Sequence, residues 1–398
     1  MISPRGGRAA RRGWREGHCV IAPDKFKGSL TAPEVAAHLA AGLRRVRQDV
    51  PVVTLPVADG GDGTVDAVVA AGFARFQLGV TGPLGERVAA SFAMRGETAV
   101  VELAEASGLR RMSGRPTAEN ALAASSFGTG ELIRAAAQRG ARRVVLGLGG
   151  SACTDGGAGM LTALGARLLD EQGWPLPRGG AELRRLARID VGEMVRIPVT
   201  VASDVDNPLL GVRGAANVYA MQKGAGRAEI DELERGLVHF ASIVRRDLGV
   251  DVVDRPGAGA AGGVGYAALA FFGAEVRPGI EIILEQLGFA DQVQGARLVI
   301  TGEGSLDQQT LHGKAPVGVA RVAAGAGAPV IAVAGQRTLT GEQLRGARIE
   351  EAYALTDIEP DPEVCMAQAG PLLERLAAQI AGVWLGDRVF RDEAGAHA

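Results

Sequence analysis

A short apolar segment that runs directly into a glycine-rich polar loop, with a helical pattern behind it, recurs along this chain. The apolar segments lie at 52–57, 143–148, 199–202, 297–301 and 329–333. Alternating strands and helices are typical of a mostly parallel α/β fold. In such folds ligands bind beyond the carboxyl ends of the strands. The pattern therefore predicts an α/β fold with its functional residues in these loops.

The middle of the chain is less regular and indicates a second domain. Segments 88–94 and 98–103 alternate in polarity, as antiparallel strands do. A chain of 398 residues is also longer than a single hydrophobic core usually accommodates. We predict a discontinuous parallel-sheet domain, an inserted mixed α/β domain, and a site in the cleft between them. The predicted bounds are 19–75 with 292–385 for the first domain and 76–291 for the second.

Charge and cysteine usage limit the classes of partner. Lys plus Arg total 43 and Asp plus Glu 45, so the net charge of −2 predicts no nucleic-acid or membrane partner. The three cysteines are far apart, which indicates a reducing, cytoplasmic location. Residues 1–18 are arginine-rich, and we expect a disordered tail or an over-called start codon. Residues 386–398 are expected to form a C-terminal tail.

Several common motifs are absent. The P-loop pattern, the serine-hydrolase elbow and HExxH are missing, and the five histidines do not cluster, which makes zinc chemistry an unfavoured interpretation. A GxGxxG match at Gly257–Gly262 is separated from any strand by Pro256. What is left are loops that combine Gly, Asp, Ser or Thr, and Lys. Phosphoryl transfer needs this combination, because it requires cations, N–H donors and carboxylates.

The first of these loops could bind an anion or simply be a turn. Lys25 and Lys27 follow a strand directly, where two lysines suit an anionic ligand. A second loop contains Asp62 among glycines, which is typical both of turns and of a ligand loop at a helix start.

A third loop follows the apolar segment 143–148. Its residues Gly149, Gly150, Ser151 and Thr154 could donate to a phosphate, whereas Asp155 could be a ligand or only a helix N-cap.

Later loops add carboxylates and further lysines. Asp204 and Asn207 come directly after an apolar strand, and Lys223 follows them, although an exposed lysine is the usual interpretation. Gly302, Glu303 and Asp307 follow another strand. Lys314 precedes a helix, where its charge opposes the helix dipole and gains nothing unless an anion is bound.

These loops, in this order, resemble the bacterial type-1 glycerate kinase family from about Val20 to Gly382. The motifs that carry the resemblance are IAPDKFKGSLTAPEVA, PVADGGDGT, TGPLGE, FGTGELI, GLGGSACTDGGAGM, SDVDNPLLG, GAGAAGGVGY and TGEGSLDQQTLHGKAPVGVA. The family often has Glu at Asp62, Asn at Thr154 and Pro at Met221. The resemblance implies ATP-dependent phosphorylation of D-glycerate, usually at the 2-hydroxyl. It also implies a flavodoxin-like domain from both chain ends and an inserted α/β domain.

The mechanistic hypothesis assigns direct in-line transfer with an aspartate as base. Asp204 or Asp307 accepts the hydroxyl proton and the other holds Mg²⁺, and Lys25 acts beside them. The expected substrate-binding residues are Lys27, Asp62, Asn207, Lys223 and Lys314. The expected nucleotide-binding residues are Gly149, Gly150, Ser151, Thr154, Asp155, Gly302 and Glu303.

Other functions are open at this point. A nicotinamide-dependent hydroxy-acid dehydrogenase would rest only on Gly257–Gly262, and a non-catalytic metabolite sensor would not need the carboxylates beside lysines. Another small sugar acid could replace glycerate as the substrate. We expect a monomer or a homodimer.

Overall fold

The computed structural model describes residues 17–386 and divides into two compact units. The first comprises the described parts of Met1–Pro56 and Gly288–Ala398, and the second comprises Val57–Leu287. The expected basic tail falls almost entirely in residues 1–16, and the expected C-terminal tail almost entirely in residues 387–398. Both stretches lie outside the described residues.

Thirteen strands alternate with the helices in the described part of the chain. In chain order they are β1 (Cys19–Pro23), β2 (Val52–Thr54), β3 (Ala74–Thr81), β4 (Arg87–Arg95), β5 (Thr98–Glu102), β6 (Arg143–Gly147), β7 (Arg167–Leu169), β8 (Arg188–Asp190), β9 (Val199–Ala202), β10 (Glu275–Arg277), β11 (Leu298–Leu306), β12 (Val330–Arg337) and β13 (Glu351–Ala354).

The helices between the strands are mostly short. They are α1 (Ala32–Val46), α2 (Thr64–Ala70), α3 (Leu103–Ser107), α4 (Ala118–Ala123), α5 (Phe127–Gln138), α6 (Ala158–Ala163), α7 (Ala215–Tyr219), α8 (Arg227–Leu248), α9 (Ala260–Phe272), α10 (Gly279–Leu287), α11 (Phe289–Gln292), α12 (Ala315–Gly325), α13 (Gly341–Gly346), α14 (Pro362–Ala367) and α15 (Ala369–Ile380). None of the helices within residues 17–386 is long and apolar enough to cross a membrane.

The first unit is built on a parallel sheet with the strand order β13-β12-β11-β1-β2. Thr31 and Glu34 form a capping box that starts α1, and α1 then buries Val35, Leu39 and Leu43 in the core of this unit. The sheet joins strands from both ends of the chain. The predicted discontinuous parallel-sheet fold is confirmed.

The second unit holds a mixed sheet with the order β10-β9-β6-β5-β4-β3. Strands β3, β4 and β5 pair antiparallel, whereas β5, β6, β9 and β10 pair parallel. The predicted mixed α/β fold is confirmed, and the antiparallel segments correspond to β4 and β5. Residues 57–75 belong to this unit, although our predicted insertion began at residue 76.

Two strands of the first unit extend further than the sequence indicates. We expected a loop to begin at Gly302, but β11 continues to Leu306. Its parallel pairing with β12 persists beyond the glycines, with Glu303 opposite Ala334 and Ser305 opposite Gln336. The expected loop positions of Gly302 and Glu303 are therefore wrong, because strand pairing outweighs the local tendency of glycine to end a strand.

A buried hydroxyl in the second unit gives a stability prediction. Tyr266 on α9 is fully buried against Phe240, and its hydroxyl has no hydrogen-bond partner within the described residues. Burying an unpaired hydroxyl costs about 1–3 kcal/mol. We therefore expect Tyr266→Phe to raise Tm by a few degrees in thermal denaturation.

Tyr353 provides the matched control for this prediction. Its hydroxyl donates to Glu351 at 2.7 Å and accepts from Trp384 at 2.8 Å. Tyr353→Phe should lower Tm, because it removes a hydroxyl that is hydrogen-bonded. If both variants lowered Tm alike, the explanation offered for Tyr266 would be wrong.

Candidate active site

In the second unit the parallel strands β5, β6 and β9 end beside one glycine loop. A Cβ on Gly60 would lie 2.6 Å from the carbonyl oxygen of Ala202, and a Cβ on Gly147 would lie 2.5 Å from that of Gly60. Only residues without side chains fit at these contacts. The loop from Asp59 to Gly63 is therefore held against the carboxyl ends of the strands, where an α/β sheet binds its ligand.

Asp204 follows β9 at this edge. Its Oδ1 accepts the N–H of Gly279 at 3.1 Å. The residue as a whole is exposed, but neighbouring protein atoms shield its carboxyl group from water. This burial raises the pKa of Asp204 to about 6, and the like charges of Asp59 and Glu281 act in the same direction. A carboxylate with a raised pKa near the working pH is suited to general base catalysis.

The carboxylate of Asp155 is hydrogen-bonded to backbone N–H groups of the protein itself. It is fully buried, and its carboxylate accepts the N–H groups of Gly157 and Gly159, both at 3.1 Å, and that of Ser126 at 2.8 Å. The helix start that we expected to receive a phosphate is thus filled by the chain's own carboxylate. Of the two alternatives left open by the sequence, the structure supports the capping role.

The rest of this glycine loop is only partly accessible. Gly149 is half-buried and Gly150 exposed, whereas Ser151 is 8% exposed and Thr154 fully buried. Gly150 has φ +72°, a conformation that favours glycine. In this structure a ligand could therefore reach the loop at Gly149 and Gly150.

Two expected substrate-binding side chains have internal partners. Lys223 is 1% exposed rather than on the surface, burial lowers its pKa, and its Nζ donates to the carbonyl oxygen of Cys153 at 2.5 Å. Asn207 donates to the carbonyl oxygen of Arg213 and accepts from the hydroxyl of Tyr219, each at 2.7 Å. Both side chains fix neighbouring segments of the second unit.

The Gly257–Gly262 segment, on which the dehydrogenase interpretation depends, also packs internally. A Cβ on Gly262 would lie 2.1 Å from the carbonyl oxygen of Cys153, and one on Gly259 would lie 2.3 Å from that of Pro208. These glycines allow close packing of the protein on itself. Nothing in this arrangement favours a dinucleotide.

The first unit carries the other expected site residues at the ends of β1 and β11. Lys25 is half-buried, with its Nζ 3.7 Å from the Asp24 carboxylate, and Lys27 is exposed. A Cβ on Gly304 would lie 3.2 Å from the backbone nitrogen of Lys27. The lysine loop and the end of β11 are therefore neighbours.

Two carboxylates of β11 and its following turn are also anchored. Glu303 is 8% exposed, accepts the Thr310 hydroxyl at 2.5 Å, and lies 3.7 Å from the Nζ of Lys314. Asp307 accepts the N–H of Gln309 at 2.8 Å and so closes the turn after β11. The structure thus brings Lys27, Glu303, Asp307 and Lys314 to one end of the first unit's sheet.

The aspartates have the donor chemistry that magnesium requires. Within residues 17–386 no group of three or more His, Cys, Asp or Glu side chains is arranged to hold a metal ion. Magnesium is commonly held by one or two carboxylates together with the phosphates of a nucleotide. Asp204 and Asp307, as single carboxylates, fit that mode.

Sequence reasoning missed Glu102 and Gly279. Glu102 is buried at the end of β5, and Gly279 begins α10 against the Asp59 carbonyl oxygen, which a Cβ would approach to 1.9 Å. A lone acidic residue within the apolar segment 98–103 was a signal for the first. Gly279 had none, because the residue it contacts is remote in sequence.

Comparisons with known proteins agree with the expected family. The profile of the glycerate kinase family matches residues 19–385. A glycerate kinase of Halalkalibacterium halodurans is 45% identical over 371 residues, covering 92% of this chain and 97% of the relative. A glycerate 2-kinase of Escherichia coli is 47% identical over 326 residues, covering 80% and 85%.

A solved structure extends the agreement to the fold. The crystal structure of a candidate glycerate kinase 2 from Salmonella typhimurium LT2 superposes with a TM-score of 0.80 at 42% identity, covering 92% of this chain and 98% of that one. Sequence and fold thus agree over most of the chain. This protein belongs to the glycerate kinase family and is an enzyme of the phosphotransferase class.

Proposed function

We propose that this enzyme transfers the terminal phosphoryl group of ATP to D-glycerate and forms 2-phosphoglycerate. The observation that carries the proposal is the 47% identity to a glycerate 2-kinase. The lysines and carboxylates at the strand ends supply the charges that phosphoryl transfer needs. The buried, unpaired cysteines support a cytoplasmic location.

Asp204 is the proposed base. Its Oδ1 is aligned by Gly279, and its carboxyl lies just beyond the end of β9. It accepts the proton of the glycerate hydroxyl as that oxygen attacks the phosphorus in line. The raised pKa of Asp204 makes it a better proton acceptor than an ordinary aspartate.

Lysines and backbone donors balance the negative charge in this proposal. Lys25, Lys27 and Lys314 neutralise the glycerate carboxylate and the transferring phosphoryl group. The Lys314 side chain lies at the start of α12, where the helix dipole disfavours a positive charge, and the Glu303 carboxylate 3.7 Å away offsets part of this cost. Gly149 and Gly150 are the accessible part of the loop proposed to bind nucleotide phosphates.

Asp307 is the proposed protein ligand of Mg²⁺, together with oxygens of the nucleotide. When bound, the ion would neutralise charge on the phosphates. Asp307 is fixed by the turn that it closes with Gln309, so its carboxylate needs no rearrangement to offer an oxygen.

A coupled ADP-release assay with D-glycerate, ATP and Mg²⁺ tests the proposal, with phosphorus NMR of the product. We expect glycerate-dependent ADP release and the resonance of a 2-phosphate ester. ADP release that ignores glycerate would contradict the substrate. A 3-phosphate product would contradict only the position of transfer.

A further inference from the structure

Glu102, the last residue of β5, places a buried carboxylate at the start of α2. The residue is 1% exposed. Its Oε2 accepts the N–H of Gly63 at 3.1 Å and that of Val65 at 3.2 Å. The first N–H groups of a helix have no partner within the helix. Glu102 therefore holds the point at which the Asp59–Gly63 loop passes into α2.

Arg110 connects Glu102 to Asp62. Its Nη2 donates to Glu102 Oε1 at 2.9 Å and also to Glu105, and its Nη1 lies 3.7 Å from Asp62 Oδ1. That Asp62 oxygen is buried and accepts no hydrogen bond within the described residues. One guanidinium is thus shared among three carboxylates. The charge on Glu102 decides how this guanidinium is divided between Glu102, which it contacts at 2.9 Å, and Asp62, which it contacts at 3.7 Å.

We propose that Glu102 is a positioning residue: its ionised carboxylate fixes the Asp59–Gly63 loop and retains Arg110, which leaves Asp62 able to bind glycerate. This inference rests on the proposed function. Glu102 does not contact the substrate and acts through Gly63 and Arg110. When its charge is lost, Arg110 is released toward Asp62 and neutralises a carboxylate that the substrate hydroxyls need.

The protonation of Glu102 supports this role. Burial is the largest cause that raises the pKa of Glu102, Arg110 and the N–H of Val65 lower it, and the like charges of Glu105 and Asp62 raise it, with a net pKa of about 7. On α2 itself, Asp66 pairs with Arg75 at 2.5 Å. The loop is therefore held above about pH 7 and released below it.

Glu102→Gln in the full chain tests the proposal, because it removes the charge and keeps the shape. We expect KM for glycerate to rise by ~10-fold, with kcat changed less than threefold and KM for ATP unchanged. The inflection near pH 7 in the profile of kcat/KM for glycerate should disappear. An unchanged KM and an unchanged profile would overturn the proposal.

Glu105→Gln is the matched variant, since Glu105 shares Arg110 but does not contact the glycine loop. It should keep the inflection and move it to lower pH, because a like charge beside Glu102 is removed. If Glu102→Gln did not fold, the pH profile of kcat/KM in Glu105→Gln would be the test of the proposal. An inflection that does not move would then overturn the proposal.

A stability measurement separates this inference from the proposed function, because it needs no turnover. The pKa of Glu102 is raised from 4.5 to about 7, so the folded state binds more protons between these values. The wild type should lose stability as pH rises through this window, and Glu102→Gln should not. The ratio of their unfolding constants should change by about 10²-fold.

The two readouts distinguish the ways of failing. The stability difference without any change in KM or profile would make Glu102 a structural residue only and overturn its positioning role. A wild type that does not use glycerate would overturn the proposed function, and the inference with it. The stability difference would then still report a buried, titrating Glu102.

Discussion

Replacing Asp204 by Asn is expected to lower kcat by about 10²–10⁴ while leaving the fold intact, because the loss of a general base has an effect of this size. The amide keeps the shape of the side chain and can still accept the N–H of Gly279. It cannot accept the hydroxyl proton. Steady-state kinetics with glycerate and ATP measure the effect, and an unchanged Tm shows that the fold is preserved.

Asp206 is the matched control, because it lies two residues away and is exposed, where it pairs with Arg213 at 3.3 Å. Asp206→Asn should change kcat less than twofold. Equal losses in both variants would show that the loop as a whole, rather than the Asp204 carboxylate, is required.

The decrease of kcat at low pH gives a second test of the role of Asp204. The pKa of Asp204 is raised to about 6, so the base is ionised above this value and protonated below it. The kcat of the wild type should therefore fall by about tenfold per pH unit below pH 6. The residual activity of Asp204→Asn should lack this decrease. A decrease that survives the substitution would move the role of base to Asp307.

Gly279→Ala is expected to be among the most damaging single methyl additions in the second unit. Its Cβ would lie 1.9 Å from the carbonyl oxygen of Asp59 and 2.8 Å from the nitrogen of Gly60. Backbone atoms must then move, at a cost of about 3 kcal/mol. Because Gly279 also aligns Asp204, we expect kcat to fall by about 10²-fold, the effect of misplacing a catalytic group by about 1 Å.

Gly325 at the end of α12 is a suitable control, because a Cβ there meets nothing within 4 Å. Gly325→Ala should leave kcat unchanged and preserve or slightly raise Tm, since alanine favours a helix. Thermal denaturation and steady-state kinetics measure both variants. A Gly279→Ala enzyme with normal Tm and kcat would show that the loop can yield at no cost.

The features that sequence predicts here are local. Alternating segments predict the parallel and antiparallel strands, because side-chain periodicity depends only on neighbouring residues. Asp204 is identifiable because a carboxylate directly after an apolar strand lies at the ligand edge of a sheet. The long motifs identify the family, but they do not predict which atoms the individual side chains contact.

The features that sequence does not predict depend on contacts between distant segments. Lysine is usually a surface residue, but Lys223 is buried and donates a hydrogen bond to the carbonyl oxygen of Cys153. Glu102 becomes a helix cap only because the chain brings Gly63 and Val65 to it. The length of β11 follows from its pairing with β12 rather than from its own glycines.

The first unit's sheet has a consequence for how the chain is synthesised. Its strand β1 pairs with β11, which begins at Leu298, so most of the protein leaves the ribosome before that partner exists. The second unit is continuous in sequence and can fold during this time. Strand β1 must wait with a hydrogen-bonding edge unpaired, which is the state in which strands aggregate. The chaperones that shield nascent chains would therefore matter most for the part of this enzyme that is made first.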